Sequence, residues 1–222
     1  ILIEPPCGSN TAIIKSGDEY LFADSGYAYC ADEMRALFRE LIPGFDGMKK
    51  RIFVTHADVD HCGLLPMFDE VLASCGTAEC LKLEYENGNG YREQNTLHKP
   101  YIRMCKILTS YEPVNPEKIK IADSEKTGDG VLERTGFLNF GDLNFEIYCG
   151  GGGHLPGESV LIDYTNRVVF SGDIFVNLKD MTEQQAQYNR YAPILMTSVD
   201  TDPVLCARER QALFARLGVG TW

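Results

Sequence analysis

No stretch of this chain approaches the run of about 20 apolar residues that a membrane-spanning helix needs, so no membrane partner is expected. The first ten residues, ILIEPPCGSN, place no positive charge ahead of their apolar positions, and an intact signal peptide is not expected there. Basic residues are outnumbered: 21 Lys and Arg against 32 Asp and Glu leave a formal net charge of -11. A surface of that sign is poorly suited to phosphate backbones, so no nucleic acid is expected as a partner. The eight cysteines are scattered over 222 residues and form no dense disulfide framework. We read most of them as reduced, buried thiols of a cytoplasmic protein. Cys75 and Cys80, with four residues between them and no matching pair elsewhere, are not expected to form a second metal site. No linker, low-complexity segment or long run of charge interrupts the chain, which reads as a single domain over 1–222.

The elements present alternate between strand and helix patterns. TAIIKSG and EYLFADSG predict a hairpin turning at Gly17-Asp18. Met34, Leu37, Phe38 and Leu41 recur at helical spacing, and Pro43-Gly44 stops that helix. KKRIFVTH is a short apolar strand, and a helix beginning near Gly63 would carry Leu64, Leu65 and Phe68 inward. Turn signals at Asn87-Gly88 and Asn89-Gly90 precede a further helix that ends by Pro113 and Pro116. The segment at about 80–130 reads either as a lid over a site or as an extra helix and hairpin packed on its rim. LNFEIYC and SVLIDYTNRVVFSGDIF predict three strands, the last two joined at Thr165-Asn166, and PVLCARERQALFARLG predicts a closing helix that ends at Gly218.

Chemistry concentrates at strand ends. VTHADVDHCG puts His56, Asp58, Asp60 and His61 within six positions on a loop leaving a strand. Imidazole and carboxylate together suit zinc, iron or manganese; the plainer reading is a polar turn whose aspartates cap the next helix. CGGGGHLPGESV sets His154 after four glycines, which let a backbone take positive φ or approach another group closely. VVFSGDIF ends a strand at Asp173. Cys62 follows the first cluster and reads either as a soft ligand or redox-sensitive thiol or, more plainly, as a small buried residue packing beneath the loop. Tyr188, Asn189 and Tyr191 are candidate substrate contacts.

THADVDH, GHLPG and SGD, in this order and with FADSG upstream, resemble the motifs of the metallo-β-lactamase superfamily of binuclear metallohydrolases. That superfamily shows T-H-x-H-x-D-H, G-H-x-x-G and a strand ending in G-D, and the resemblance runs from about 8 to 220. It implies an α/β fold, a four-layer αββα sandwich, with two divalent metal ions at one edge: zinc or iron, with manganese a third candidate. By position, His56, His154 and the second-position residue Asp58 would bind the first metal. Asp60 and His61 would bind the second, and Asp173 would bridge both. The implied activity is hydrolysis of a small-molecule ester, lactone, amide, thioester or phosphodiester, with Asp60 orienting the attacking hydroxide.

Two departures stand out. Asp58 occupies the place where these hydrolases usually carry His; a carboxylate there is similar to the H-x-E-x-D-H of flavodiiron proteins. That makes a di-iron protein binding or reducing oxygen or nitric oxide the alternative, and a degenerate, non-catalytic binding module the third. The superfamily also normally supplies a last His from a strand near the C-terminus. Here the histidines are His56, His61, His98 and His154, so either that strand is missing or another residue completes the second site. His98, before Pro100, reads as a surface or lid residue.

Overall fold

The computed structural model describes residues 1–5, 9–124, 130–175, 182–188 and 200–222. Contacts divide them into two compact units, Ile1–Ala122 and Asp123–Trp222. Together they make a mixed α/β structure with one sheet in each unit.

The first sheet grows from the predicted hairpin. β1 (Leu2–Ile3), β2 (Thr11–Ser16) and β3 (Glu19–Ala23) pair antiparallel, with Lys15 opposite Tyr20 beside the turn. β3 is buried from Tyr20 onward. Such a strand needs cover on both faces, which crossover connections supply. α1 (Ala31–Leu41) makes the first crossover, burying Met34 and Phe38. It returns the chain to β4 (Arg51–Phe53), parallel to β3 with Ala23 opposite Phe53. The short helix α2 (Val59–Cys62) leads to β5 (Glu70–Ala73), also parallel. α3 (Cys75–Asn87) and α4 (Lys99–Thr109) then precede β6 (Ile119–Ile121), giving the order β1-β2-β3-β4-β5-β6. The core of this unit centres on Phe22, whose ring meets Phe38, Phe45 and Phe68 edge-on at centroid distances of 5.1, 6.4 and 5.0 Å.

The helix expected from Gly63 is not formed. Leu64, Leu65 and Phe68 are buried as anticipated, but a 3-10 turn at Leu65–Met67 carries them toward β5. Gly63 itself presses on the backbone after β3: its N–H donates to the Gly26 carbonyl at 2.8 Å, and an added Cβ would lie 2.1 Å from the Ala28 nitrogen.

The second sheet is antiparallel throughout. β7 (Leu132–Phe140), β8 (Leu143–Gly150), β9 (Ser159–Asp163) and β10 (Val168–Phe170) run in the order β10-β9-β8-β7. A register shift between Arg134 and Gly136 bulges β7. The short α5 (Glu183–Tyr188) follows, then α6 (Pro203–Leu217), which starts on an Asp202 cap and buries Cys206, Glu209, Arg210 and Leu213. No helix among the described residues is long and apolar enough to cross a membrane.

Candidate metal centre

Parallel strands deliver ligands at their carboxyl ends, and β3 and β4, being neighbours, deliver two at once. Asp24 follows β3 with a left-handed φ of +54°, a backbone state a non-glycine residue holds only where its surroundings compel it. The compulsion is visible. Its Oδ1 accepts the Thr55 N–H at 2.8 Å, and its Oδ2 accepts the Thr55 hydroxyl at 2.9 Å and His61 Nδ1 at 2.9 Å. Ser25 completes the grip, because its N–H and Oγ both donate to the His61 carbonyl, at 3.0 and 2.9 Å.

These bonds settle where the imidazole protons lie. An ionised carboxylate only accepts, so His61 Nδ1 donates and Nε2 carries the lone pair. Thr55 gives its one hydroxyl hydrogen to Asp24. His56 Nδ1, 3.1 Å from the same oxygen, must therefore also donate, which leaves His56 Nε2 as an acceptor. Those Nε2 atoms face carboxylates: His56 Nε2 lies 3.6 Å from Asp58 Oδ2, and His61 Nε2 lies 3.8 Å from Asp60 Oδ2. For His61 and Asp60, lone pairs turned toward each other at that separation are the arrangement a shared cation satisfies. His56 is fully buried and the His56 and His61 rings lie 4.0 Å apart.

The second unit repeats the device with other residues. His154 is buried, and its Nδ1 donates to Asp200 Oδ1 at 2.9 Å while its Nε2 faces Asp173 Oδ2 at 3.7 Å. Thr201 donates to the His154 carbonyl through both N–H and Oγ1, at 3.1 and 2.8 Å. The four glycines serve a close approach. Glu209 of α6 accepts the Gly151 N–H at 2.5 Å and the Gly153 N–H at 3.1 Å, and an added Cβ on Gly153 would lie 2.2 Å from the Cys206 nitrogen. Burial pushes the Glu209 carboxyl up to about 7, against the opposing pull of the glycine N–H groups. Asp173 is set by Glu158, which accepts the N–H groups of Asp173 and Ile174 at 2.6 and 2.9 Å.

Asp58 neither caps α2 through its side chain nor lies open: both its oxygens accept from Arg92. Cys62 is buried and donates through Sγ to the His56 carbonyl, so it packs beneath the loop, where burial pushes its thiol well above the usual range. His98 is partly exposed at the start of α4. Asn189, Tyr191 and the side chain of Tyr188 lie outside the described residues. Sequence reasoning assigned no role to Asp24, Asp200, Arg92, Glu158 or Glu209. Only Asp24 had a local signal, in the FADSG that ends its strand.

A mixed α/β fold whose carboxylate-oriented histidines end strands and loops is the layout of a metal-binding protein. The family model for the metallo-β-lactamase superfamily matches residues 5–190, and the chain belongs to that superfamily. The fold is that of several solved structures. One is AbOPH, a hydrolase of the β-lactamase superfamily (TM-score 0.58, 18% identity, 94% of this chain and 68% of that one). Another is AidC, a dizinc quorum-quenching lactonase in complex with a product (TM-score 0.57, 16% identity, 94% and 68%). A third is TTHA1623 in a di-iron-bound form (TM-score 0.56, 14% identity, 97% and 85%). No curated protein sequence matches the chain. At these identities the structural likeness speaks for the fold alone.

Proposed function

We propose that this protein is a metal-dependent hydrolase with a binuclear centre, acting on a small-molecule substrate. His56, His154 and Asp173 would hold one cation, and Asp60, His61 and Asp173 would hold the other. The superfamily pattern assigns the two sets to one centre. The observation that carries the proposal is how the histidines are held: each Nδ1 is spent on an acceptor, and the Nε2 atoms of His61 and His154 are turned toward Asp60 and Asp173 at 3.8 and 3.7 Å. Two bound divalent cations would supply a hydroxide nucleophile near neutral pH and polarise the oxygen of the scissile group.

The chain's own residues do the positioning. Asp24 and Asp200 fix ring direction and raise the basicity of the ligating nitrogen. Asp60, about a third exposed at the head of α2, orients the nucleophile by accepting its hydrogen bond. Glu158 anchors the turn that presents Asp173.

The test is metal analysis of protein purified without added metal, beside an anaerobic sample, with hydrolysis assayed on ester, lactone, thioester and phosphodiester panels. Two equivalents of zinc, iron or manganese and turnover of one bond class support the proposal. Two irons with an oxygen-sensitive absorption band and no hydrolysis would replace it with the di-iron reading. No metal above trace would leave a binding module.

A further inference from the structure

Asp58 stands where the first motif offers its second ligand, yet the structure commits its oxygens elsewhere. Arg92 Nε donates to Oδ1 at 2.6 Å and to Oδ2 at 2.9 Å, and Nη2 donates to Oδ2 at 2.6 Å. Oδ2 is the oxygen 3.6 Å from His56 Nε2; it accepts from Nη2 and shares the single Nε hydrogen with Oδ1, so the guanidinium faces the side of the carboxylate a cation would use. It cannot also bind a cation without giving up that pairing. Both partners are largely buried, 10% and 14% exposed, so water screens the attraction little.

Arg92 is itself held in place. It opens the 3-10 turn Arg92–Gln94, whose next residue, Glu93, is buried. Glu93 accepts the Gly90 N–H at 2.7 Å and pairs with Lys106 of α4. Lys106 also pairs with Glu84 of α3, and the Tyr111 hydroxyl donates to Glu84 at 2.7 Å. Two helices thus pin the turn, and the arginine reaches Asp58 already oriented.

Resting on the metal-centre reading above, we infer that Arg92 is a positioning residue that holds Asp58 out of the coordination sphere. The protein presents a neutral Asp58–Arg92 pair where a ligand is expected. The first cation would then be held by His56, His154 and Asp173 without Asp58. The segment around 92 acts on the metal through Asp58.

The experiment uses cobalt(II)-loaded full-length protein and reads the visible d–d spectrum and cobalt stoichiometry. The variants are Asp58→Asn, which keeps side-chain size, Arg92→Gln, which removes the guanidinium while leaving a polar chain, and the double variant. The expected result is that Asp58→Asn leaves spectrum and stoichiometry unchanged. Arg92→Gln releases the carboxylate, changes the spectrum as an oxygen ligand is added, and tightens the first cobalt at least tenfold. The double variant returns to the parent spectrum. A changed spectrum or a lost equivalent in Asp58→Asn alone, or an unchanged spectrum in Arg92→Gln, overturns the inference and leaves the metal centre standing. Parent protein that binds no cobalt overturns both.

Discussion

Replacing Asp24 with Asn changes one atom, and the structure says what that atom does. The Asn keeps an acceptor for the Thr55 N–H, and Asn tolerates the left-handed backbone at this position. The oxygen that now receives both the Thr55 hydroxyl and His61 Nδ1 becomes an NH2 group, which can only donate. His61 must then accept at Nδ1, and its proton moves to Nε2, the atom facing Asp60. A protonated Nε2 has no lone pair for a metal. Loss of such an orienting carboxylate typically costs 10–100-fold in metal affinity, or about 1.4–2.7 kcal/mol.

The stability change works out smaller. Two hydrogen bonds to a charged acceptor are lost, at about 1.5–3 kcal/mol each, while the amide still bonds both partners if Thr55 and His61 turn their roles around. A net loss of about 1–2 kcal/mol is expected. Chelator competition reads the affinity of the weaker site, and urea melts of metal-free protein read the stability. The outcome that refutes the reasoning is Asp24→Asn protein with parental affinity at both sites. His61 would then not owe its tautomer to Asp24, and the electrostatic argument for the centre would lose its main support.

Three other perturbations test other joints of the structure. Gly63→Ala forces a Cβ to within 2.1 Å of the Ala28 nitrogen and 2.4 Å of the Gly26 oxygen, so backbone must move. A loss of about 3 kcal/mol or more in urea melts is expected, together with weaker metal binding because the same loop carries His61. Phe38→Ala empties a fully buried position against Phe22 and Phe45 and is expected to cost about 3–5 kcal/mol while leaving metal stoichiometry intact. Glu209 holds its proton more tightly in the folded protein, to about 7, than in the unfolded chain at 4.5. Its contribution is therefore complete below about pH 4.5 and is lost as pH rises through 7. Glu209→Gln is expected to flatten the stability-pH curve in that window relative to parent protein, and equal slopes in the two would refute the assignment.

Where local pattern and final environment agree, the sequence was readable. The β2–β3 hairpin, α1, β4, β8 to β10 and α6 all show their period or their turn residues. α3 did not, because its buried face includes Thr77 and Glu84, and no apolar stripe announces it. β7 was missed because the bulge after Arg134 and the glycine at 136 break its alternation. β5 is only four residues long, and the apolar residues ahead of it read as helix. The motif histidines and aspartates were legible as chemistry from spacing alone. Their supporting residues were not: Arg92 lies 34 positions from Asp58, and Asp200 lies 46 from His154. No local period encodes contacts of that range.

The two histidine clamps share a logic that neither motif shows by itself. Asp24-Ser25 holds His61, and Asp200-Thr201 holds His154; in each, the carboxylate takes Nδ1 while the next residue's N–H and hydroxyl both take the histidine's own carbonyl. A carboxylate alone would fix the tautomer but leave the ring free to swing with its backbone. Hydroxyl and amide on the carbonyl alone would fix the backbone but not the proton. Held at both ends, the ring can lose little further freedom when a cation binds, so the ordering cost is met in folding and not in binding. His56 meets a threonine hydroxyl at Nδ1, where the other two meet a carboxylate, and it is completely buried. Metal affinity in this protein should therefore depend on Asp24 and Asp200 more steeply than on Thr55, although all three lie one bond away from the ligands.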